Sequence, residues 1–481
     1  MNITSHQEHT FESYVEWVLF GGHIAPITKF ALESVGELPP EETPAPKRRK
    51  GAKNAASFTH QDRLKSPFYM NYIEPGKEAS SPLHNESSNL SKKFRRRFRV
   101  PYAMFLSICE DIRNIGEYKD GTDATGMPKV PLELFVLACL RYLGSGCPFD
   151  LLEELTCVDE ETIRLFFHKH FCIWGMHAAE EVIGLPDDAA SLEHVMGLYD
   201  LLGLPGCVGS IDCVHVVWDR CRAGLHNVCR GKEDYPSLAF EAVASHTRRI
   251  LSVSQFFWGA VNDKSIARED DAVRKLRSDG SFLSKVRWSS FDEDGSCSEN
   301  EGAYFICDGG YHNWECMIAP FKHQMDGTDE FLWSKHVESM RKDVECVFGI
   351  LKKRFLFLKH PIRLQNPEHI QNAFITCCAL HNLLLDYDGF DEWEFHDVDW
   401  ECAVNVEHTK LEERSKQLAG KSKFFSDAFT HSEARMGNSI EQKKEDDKLR
   451  LESERFHQRR SYLIDHYKYM TKMRGLKISL R

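Results

Sequence analysis

One acid in the middle of an apolar run constrains this chain more than any other feature. Residues 207–218 read CVGSIDCVHVVW, in which Val208, Ser210, Asp212, Val214 and Val216 alternate on one face of an expected strand. A carboxylate buried there without a partner would cost several kcal/mol. Asp212 therefore needs a cation, a hydrogen-bond cage or solvent, and the sheet that forms around it must supply one of them.

Two further acids suggest what that supply is. Residues 303–307 read as another strand, closed by Asp308-Gly309-Gly310, where the glycines permit a sharp turn and close approach of a ligand. An ordinary strand-to-turn aspartate accounts for Asp308 equally well. In residues 331–358, Val337, Met340, Val344, Val347, Phe348 and Leu351 recur at spacings of three and four, the pattern of an amphipathic helix. Glu345 lies at the margin of that stripe, in line with Arg341, Phe348 and Lys352. Alone it reads as a solvated glutamate on a basic helix, and Glu338 and Asp343 compete with it. Taken together, Asp212, Asp308 and Glu345 are three hard oxygen donors converging on one sheet edge, a set suited to Mg²⁺ or Mn²⁺. Two such ions ~3.5–4 Å apart can drive an in-line phosphodiester displacement. Asp212 would bridge both, with Asp308 and Glu345 each favouring one.

The rest of the chain gives these acids a setting. Its 481 residues suffice for two or three domains, and 42% hydrophobic content supports a substantial core. No run of eighteen apolar residues and no basic-apolar-small leader is visible, so a soluble, non-membrane, non-secreted protein is expected. The sixteen cysteines are scattered through apolar contexts, which predicts reduced, buried thiols. Cys213, His215, Cys221, His226 and Cys229 lie close in sequence, but their spacing matches no regular zinc ribbon or finger. By alternation His215 points away from Asp212. Asp263 reads as a helix N-terminal acid, with metal or DNA contact as the alternative.

A net charge of −12 at first argues against a nucleic-acid partner, but the charges are segregated. Residues 386–401 hold eight acids and no lysine or arginine, whereas six of the eight residues from 92 to 99 are basic. Arg95, Arg96 and Arg97 there, and Arg341, Lys352, Lys353 and Arg354 around Glu345, are the expected DNA-phosphate contacts, with a solvated face as the alternative. Phe94 and Phe98 would pack inward.

Residues 1–90 are expected to be a disordered tail, apart from a short helix near residues 12–19. The tail carries Lys47-Arg48-Arg49-Lys50, which fits either a solvated run or a nuclear-import signal. Residues 91–204 form a helical region with helices at 131–145, 149–156, 160–170 and 191–202. The second and third, joined through the expected N-cap Asp159, resemble a helix-turn-helix. Residues 205–388 alternate strands (208–216, 238–244, 250–258, 303–307) with a helical stretch at 262–276, a polar insert at 278–302, the Glu345 helix and a helix at 370–387. This is a mixed α/β layer. Residues 389–481 add an acidic loop and a charged helix from about 440 to 473.

Several blocks of the chain resemble the PIF/Harbinger-type DDE transposases. The segments Gly209-Ser210-Ile211-Asp212-Cys213-Val214-His215, Asp308-Gly309-Gly310-Tyr311 and Val344-Glu345-Cys346-Val347-Phe348-Gly349-Ile350-Leu351-Lys352 are similar to that family's three acidic blocks. Separations of 96 and 37 residues between the acids fit as well. Gly259-Ala260-Val261-Asn262-Asp263-Lys264-Ser265 and Ala379-Leu380-His381-Asn382 are similar to two further blocks. The resemblance implies an RNase H-like catalytic core behind a helical DNA-binding region, with Asp212, Asp308 and Glu345 as catalytic metal ligands. It implies nicking of double-stranded transposon ends by water and joining of the freed 3′-hydroxyl to target DNA. It also implies nuclear action with a separately encoded Myb/SANT-like partner, with a homo-oligomer and a cytoplasmic pool left open. Cys213-Val214 stands where the family often has Gly-Thr. Two other readings remain: a domesticated DNA- or protein-binding factor that does not cut, and a hydrolase of smaller phosphoesters.

Overall fold

The structure, a computed structural model, describes residues 58–389 apart from 117, 123–125, 233, 279, 323 and 324, and residues 439–474. The basic cluster at 47–50, the short helix near 12–19 and most of the acidic loop lie outside the described residues.

The disorder expected through residue 90 does not extend that far. Thr59 caps α1 (His60–Leu64) with a capping box. Phe68, Tyr69, Tyr72, Ile73 and Leu83 are then buried. Tyr72 meets the rings of Phe94 and Phe98 edge-on, at 5.5 and 5.1 Å between centroids. Those two phenylalanines project inward from α2 (Asn89–Phe98), as their spacing predicts. The segment looked polar because its few aromatics are separated by serine, asparagine and proline; each is nevertheless used.

The helical region continues through α3 (Tyr102–Asn114), α4 (Leu132–Ser145), α5 (Phe149–Thr156), α6 (Glu160–Phe166), α7 (Cys172–Val182) and α8 (Ala189–Leu201). Asp159 caps α6 by accepting from the Thr162 amide at 3.1 Å. The α5–α6 link turns at Cys157, whose φ of 53° ends α5 in the left-handed region.

Among the described residues eight strands follow: β1 (Cys207–Val217), β2 (Ser237–Ala244), β3 (Ile250–Val253), β4 (Phe257–Trp258), β5 (Arg287–Phe291), β6 (Cys297–Glu301), β7 (Tyr304–Ile306) and β8 (Met317–Ile318). The main sheet runs β3-β2-β1-β7-β8, with β4 paired to β2. β1 is antiparallel to β2 and parallel to β7, and β7 is parallel to β8. The single strand expected at 250–258 is broken because Ser254 interrupts the ladder: its hydroxyl accepts from the Glu241 amide at 2.9 Å. The 262–276 helix is likewise two, α9 (Asp263–Glu269) and α10 (Asp271–Arg277). Buried Asp270 between them caps the second by accepting from the Val273 amide at 2.9 Å.

Three long helices complete the layer: α11 (Asp329–Arg354), α12 (Pro367–Asp388) and α13 (Ser439–Arg474). No described helix is long and apolar enough to cross a membrane. One apolar core joins the N-terminal helices to Val214 and Val216 of β1 and Trp218 just beyond it, to Val344, Val347 and Phe348 of α11 and to most of the buried face of α12. It runs unbroken across the boundary expected at residue 204. A second core gathers β7, β8, α8, α10 and the start of α11 under Phe456, Leu463, Ile464 and Tyr467 of α13. Buried Asn382 ties α12 to the edge of the sheet. Its amide accepts from Ile250 N at 3.0 Å and donates to the carbonyls of Ile250 and Val182, each at 2.8 Å. The Ala379–Asn382 block thus serves the architecture, by holding a helix to a strand.

Candidate functional site

β1 and β7 bring two of the acids side by side. Ser210 is in register with Ile306 across this parallel pair; Asp212 lies two residues further along β1, and Asp308 two residues past the end of β7. A shift in register between Cys207 and Ser210 precedes them, at Gly209. A Cβ on Gly209 would meet Val243 Cγ1 at 2.7 Å, so the irregular backbone there requires glycine. Beyond Asp308 the chain turns back over its own carboxylate: Gly310 N donates to Asp308 Oδ1 at 2.6 Å.

The third acid arrives from α11, and Arg341 joins them. Arg341 Nη1 lies 2.7 Å from Glu345 Oε1 and 3.6 Å from Asp212 Oδ2, while Nη2 lies 3.7 Å from Glu338. Only 13% of the Arg341 side chain is exposed. The expected phosphate contact at Arg341 is therefore replaced by an internal role, as counter-charge to the acids. Asp343 is drawn off to His246, at 2.7 Å, which removes it as a rival to Glu345. Glu338 reaches only the outer edge of the guanidinium.

Asp212 is the acid under most strain. Burial pushes its carboxyl up to about 6, and the charges of Asp308 and Glu345 add to the rise, against relief from the Cys213 amide and Arg341. Arg341 feels the converse: burial works against its charge, but Glu345, Asp212 and Glu338 together hold it above its ordinary value. The chemistry of the donor set is right for a hard divalent cation, three carboxylates with surplus negative charge. Among the described residues no three His, Cys, Asp or Glu side chains stand in ready-made ligand geometry. In this state Asp212 and Glu345 face a guanidinium.

Behind them is an acid that the sequence reading missed. Glu241 lies opposite Cys213 on β2 and is 1% exposed. Burial pushes its carboxyl well above the usual range, and the charge of Asp270 pushes it further. The signal was in the sequence, since SLAFEAVA is as apolar around its acid as the Asp212 run. Glu241→Gln, which keeps the shape of the neutral acid, is expected to change stability by less than about 1 kcal/mol in urea titrations at pH 7. Glu241→Ala is expected to cost about 2–3 kcal/mol through the cavity it leaves. A large loss in the glutamine variant would mean that the acid is ionised.

The remaining candidates disperse. Arg95 makes a two-pronged pair with Asp388, and Arg97 bonds the Tyr72 hydroxyl. Lys352 donates to the His215 carbonyl at 3.2 Å, and Arg354 bonds His381 Nδ1 at 3.2 Å. Arg96 and Lys353 are exposed. The cysteine and histidine cluster also divides. Cys213 lies under Tyr311 and His215 bonds Ser237, whereas His226 turns to the Cys221 carbonyl. Asp263 opens α9 and is near the turn: its Oδ2 lies 3.5 Å from where a Gly310 Cβ would stand.

Residues 185–391, the span that carries all three acids, match the family described as plant transposon protein. A protein ALP1-like from Arabidopsis thaliana is 22% identical over 345 residues, covering 69% of this chain and 82% of that protein. From the same plant, the protein named Antagonist of like heterochromatin protein 1 is 20% identical, covering 61% of this chain and 73% of its own. The Rattus norvegicus protein named Putative nuclease HARBI1 is 23% identical over 220 residues, 45% of this chain and 56% of that protein. The chain thus spans little more than half the length of that nuclease. No solved structure matches.

Proposed function

We propose that this chain, a member of the Harbinger-derived, transposase-like nuclease family, is a divalent-metal-dependent DNA endonuclease that cuts transposon ends and joins them to target DNA. The observation that carries the reading is the convergence of Asp212 on β1, Asp308 just beyond the adjacent parallel strand β7, and Glu345 on α11. The mixed strand order, with Asp212 on the central strand, supports the RNase H-like reading of the core.

Asp212, Asp308 and Glu345 would hold Mg²⁺ or Mn²⁺. When bound, such ions would lower the pKa of the attacking water and neutralise the leaving oxygen. Arg341 serves differently, as the internal counter-charge that Asp212 and Glu345 share. Asp212 must lose its proton to serve as a ligand, so cation affinity falls as pH drops through about 6. Arg96 and Lys353 are exposed cations for the duplex backbone. A Myb/SANT-like second protein in the nucleus would bring the chain to its terminal repeats.

A second reading is favoured by Arg341, whose guanidinium sits against the acids. A domesticated descendant could keep that internal salt bridge permanently and bind DNA or a protein without cutting. One experiment separates the two. The full chain is incubated with duplexes carrying the terminal repeats of its own element, with Mg²⁺ or Mn²⁺ and with EDTA. Cation-dependent nicks bearing 3′-hydroxyls are expected; salt-sensitive binding without nicks under any cation would leave the domesticated factor.

A further inference from the structure

The Asp308 turn has a second side, which the acids do not use. There it faces α13 across a cleft of about 550 Å³, within the ~300–1,000 Å³ typical of ligand pockets. Lys264, Lys322, His457 and Arg460 supply its cationic and imidazole groups, and no carboxylate lines it among the described residues. In a chain of net charge −12 that is a strong local bias.

The walls are layered. Arg460 lies over the Phe321 ring at 3.5 Å and over Phe456 at 4.8 Å. His312 stacks on Trp314, at 4.3 Å and 18° between planes. Arg460 and His312 thus bring flat, π-faced groups to the wall of the cleft, each backed by an aromatic ring.

Arg460 differs sharply from its neighbour. Arg459 is saturated by three carbonyls and the Glu315 carboxylate. Arg460 makes no ion pair among the described residues, its Nε has no hydrogen-bond partner, and its Nη2 bonds His457 at 3.3 Å. Burial alone pulls its guanidinium down to about 10. A desolvated arginine without a carboxylate is suited to an anion. Lys322 connects this cleft to the acids. Its chain covers Gly309, with Nζ 3.2 Å from where a Cβ would stand, one residue from Asp308.

We infer that this cleft is a nucleotide pocket, which takes one unpaired nucleotide of the DNA end beside the acid cluster. The phosphate lies on Lys322, Lys264 and Arg460, and the base stacks on the outer face of His312. The inference rests on the DNA reading proposed above and adds to it a preference for frayed over fully paired ends. Stacking of one base is worth ~1–3 kcal/mol, or about 5- to 150-fold in affinity.

The test uses the full chain in EDTA, so that binding is read without cutting. Fluorescence anisotropy compares a blunt duplex with the same duplex carrying three unpaired terminal nucleotides, at equal ionic strength. The wild-type chain is expected to favour the unpaired end by about tenfold. In Lys322→Ala/His457→Ala and in His312→Ala the ratio is expected to fall towards one, with unchanged melting temperatures confirming the fold. Equal binding of both duplexes by the wild type, or a preference that survives in both variants, overturns the pocket and leaves the endonuclease reading standing. Binding of neither duplex overturns both.

Discussion

Asp212→Asn is expected to stabilise the cation-free protein by about 2–3 kcal/mol at pH 7.5 and to reduce cleavage by roughly 10³-fold. The two effects have one cause. Asp212 sits with 23% of its side chain exposed, and burial with two neighbouring acids raises its carboxyl from 3.8 to about 6. Each pKa unit corresponds to about 1.4 kcal/mol, so ionising this group in the native state costs about 3 kcal/mol. The sign follows from the folded value being raised. Below pH 4 the group is protonated in both states and imposes no penalty. Stability is lost as pH rises towards 6, and the loss is complete above it. The amide variant lacks this penalty, so its stability should fall less than that of the wild type between pH 4 and 7. It also lacks the ligand, and loss of several kcal/mol of transition-state stabilisation gives the expected fall in rate. Urea titrations in EDTA and single-turnover cleavage in Mg²⁺ measure the two halves. A variant that is less stable than wild type, or that still cuts, contradicts the assignment.

Arg459→Ala is expected to cost about 3–5 kcal/mol, the loss typical of breaking a buried charge network from one side. Arg459 is 5% exposed on α13. It donates to the carbonyls of Gly302, Glu301 and Glu315 and to the Glu315 carboxylate at 2.6 Å. Burial lowers its guanidinium, and Glu315 recovers part of that. Truncation leaves three carbonyls and a partly buried acid without their donor. Because Phe456, Leu463 and Tyr467 share the core under β7 and β8, the loss should release α13 as a unit. Limited trypsin digestion should then cut between residues 450 and 473 at concentrations that spare the wild type. Arg455→Ala is the control: Arg455 is 58% exposed and 3.8 Å from Glu315, and its loss should cost under about 1 kcal/mol. Equal resistance of α13 in both variants would show that the helix is held by its apolar face alone.

How far the sequence led depended on whether the deciding contact was local. α11 and the second half of β1 follow from periodicity, because their buried faces repeat at helix or strand spacing, whereas β2 and α4 follow from continuous apolar runs that are buried all round. The hairpin β5–β6 did not, because its strands alternate around polar residues, and RWSSF and CSENE read as an insert. β8 has only two residues and exists because β7 offers it a parallel edge. In the site, the acids were legible as charges that apolar runs could not tolerate. Glu241 carried the same signal and was overlooked for want of a motif. Arg341 could be placed in line with Glu345 but not against Asp212, since that contact joins segments 129 residues apart. The cleft under α13 was invisible for the same reason.

Everything proposed for the site requires that the acids around Arg341 accept a divalent cation. Calorimetric titration of the cation-free chain with Mn²⁺ at pH 7.5 tests this without DNA or turnover. Saturable binding is expected in the wild type, weakened as pH falls below 6 and at least tenfold weaker in Asp308→Asn. No binding at millimolar Mn²⁺, or equal binding by the two proteins, would contradict it.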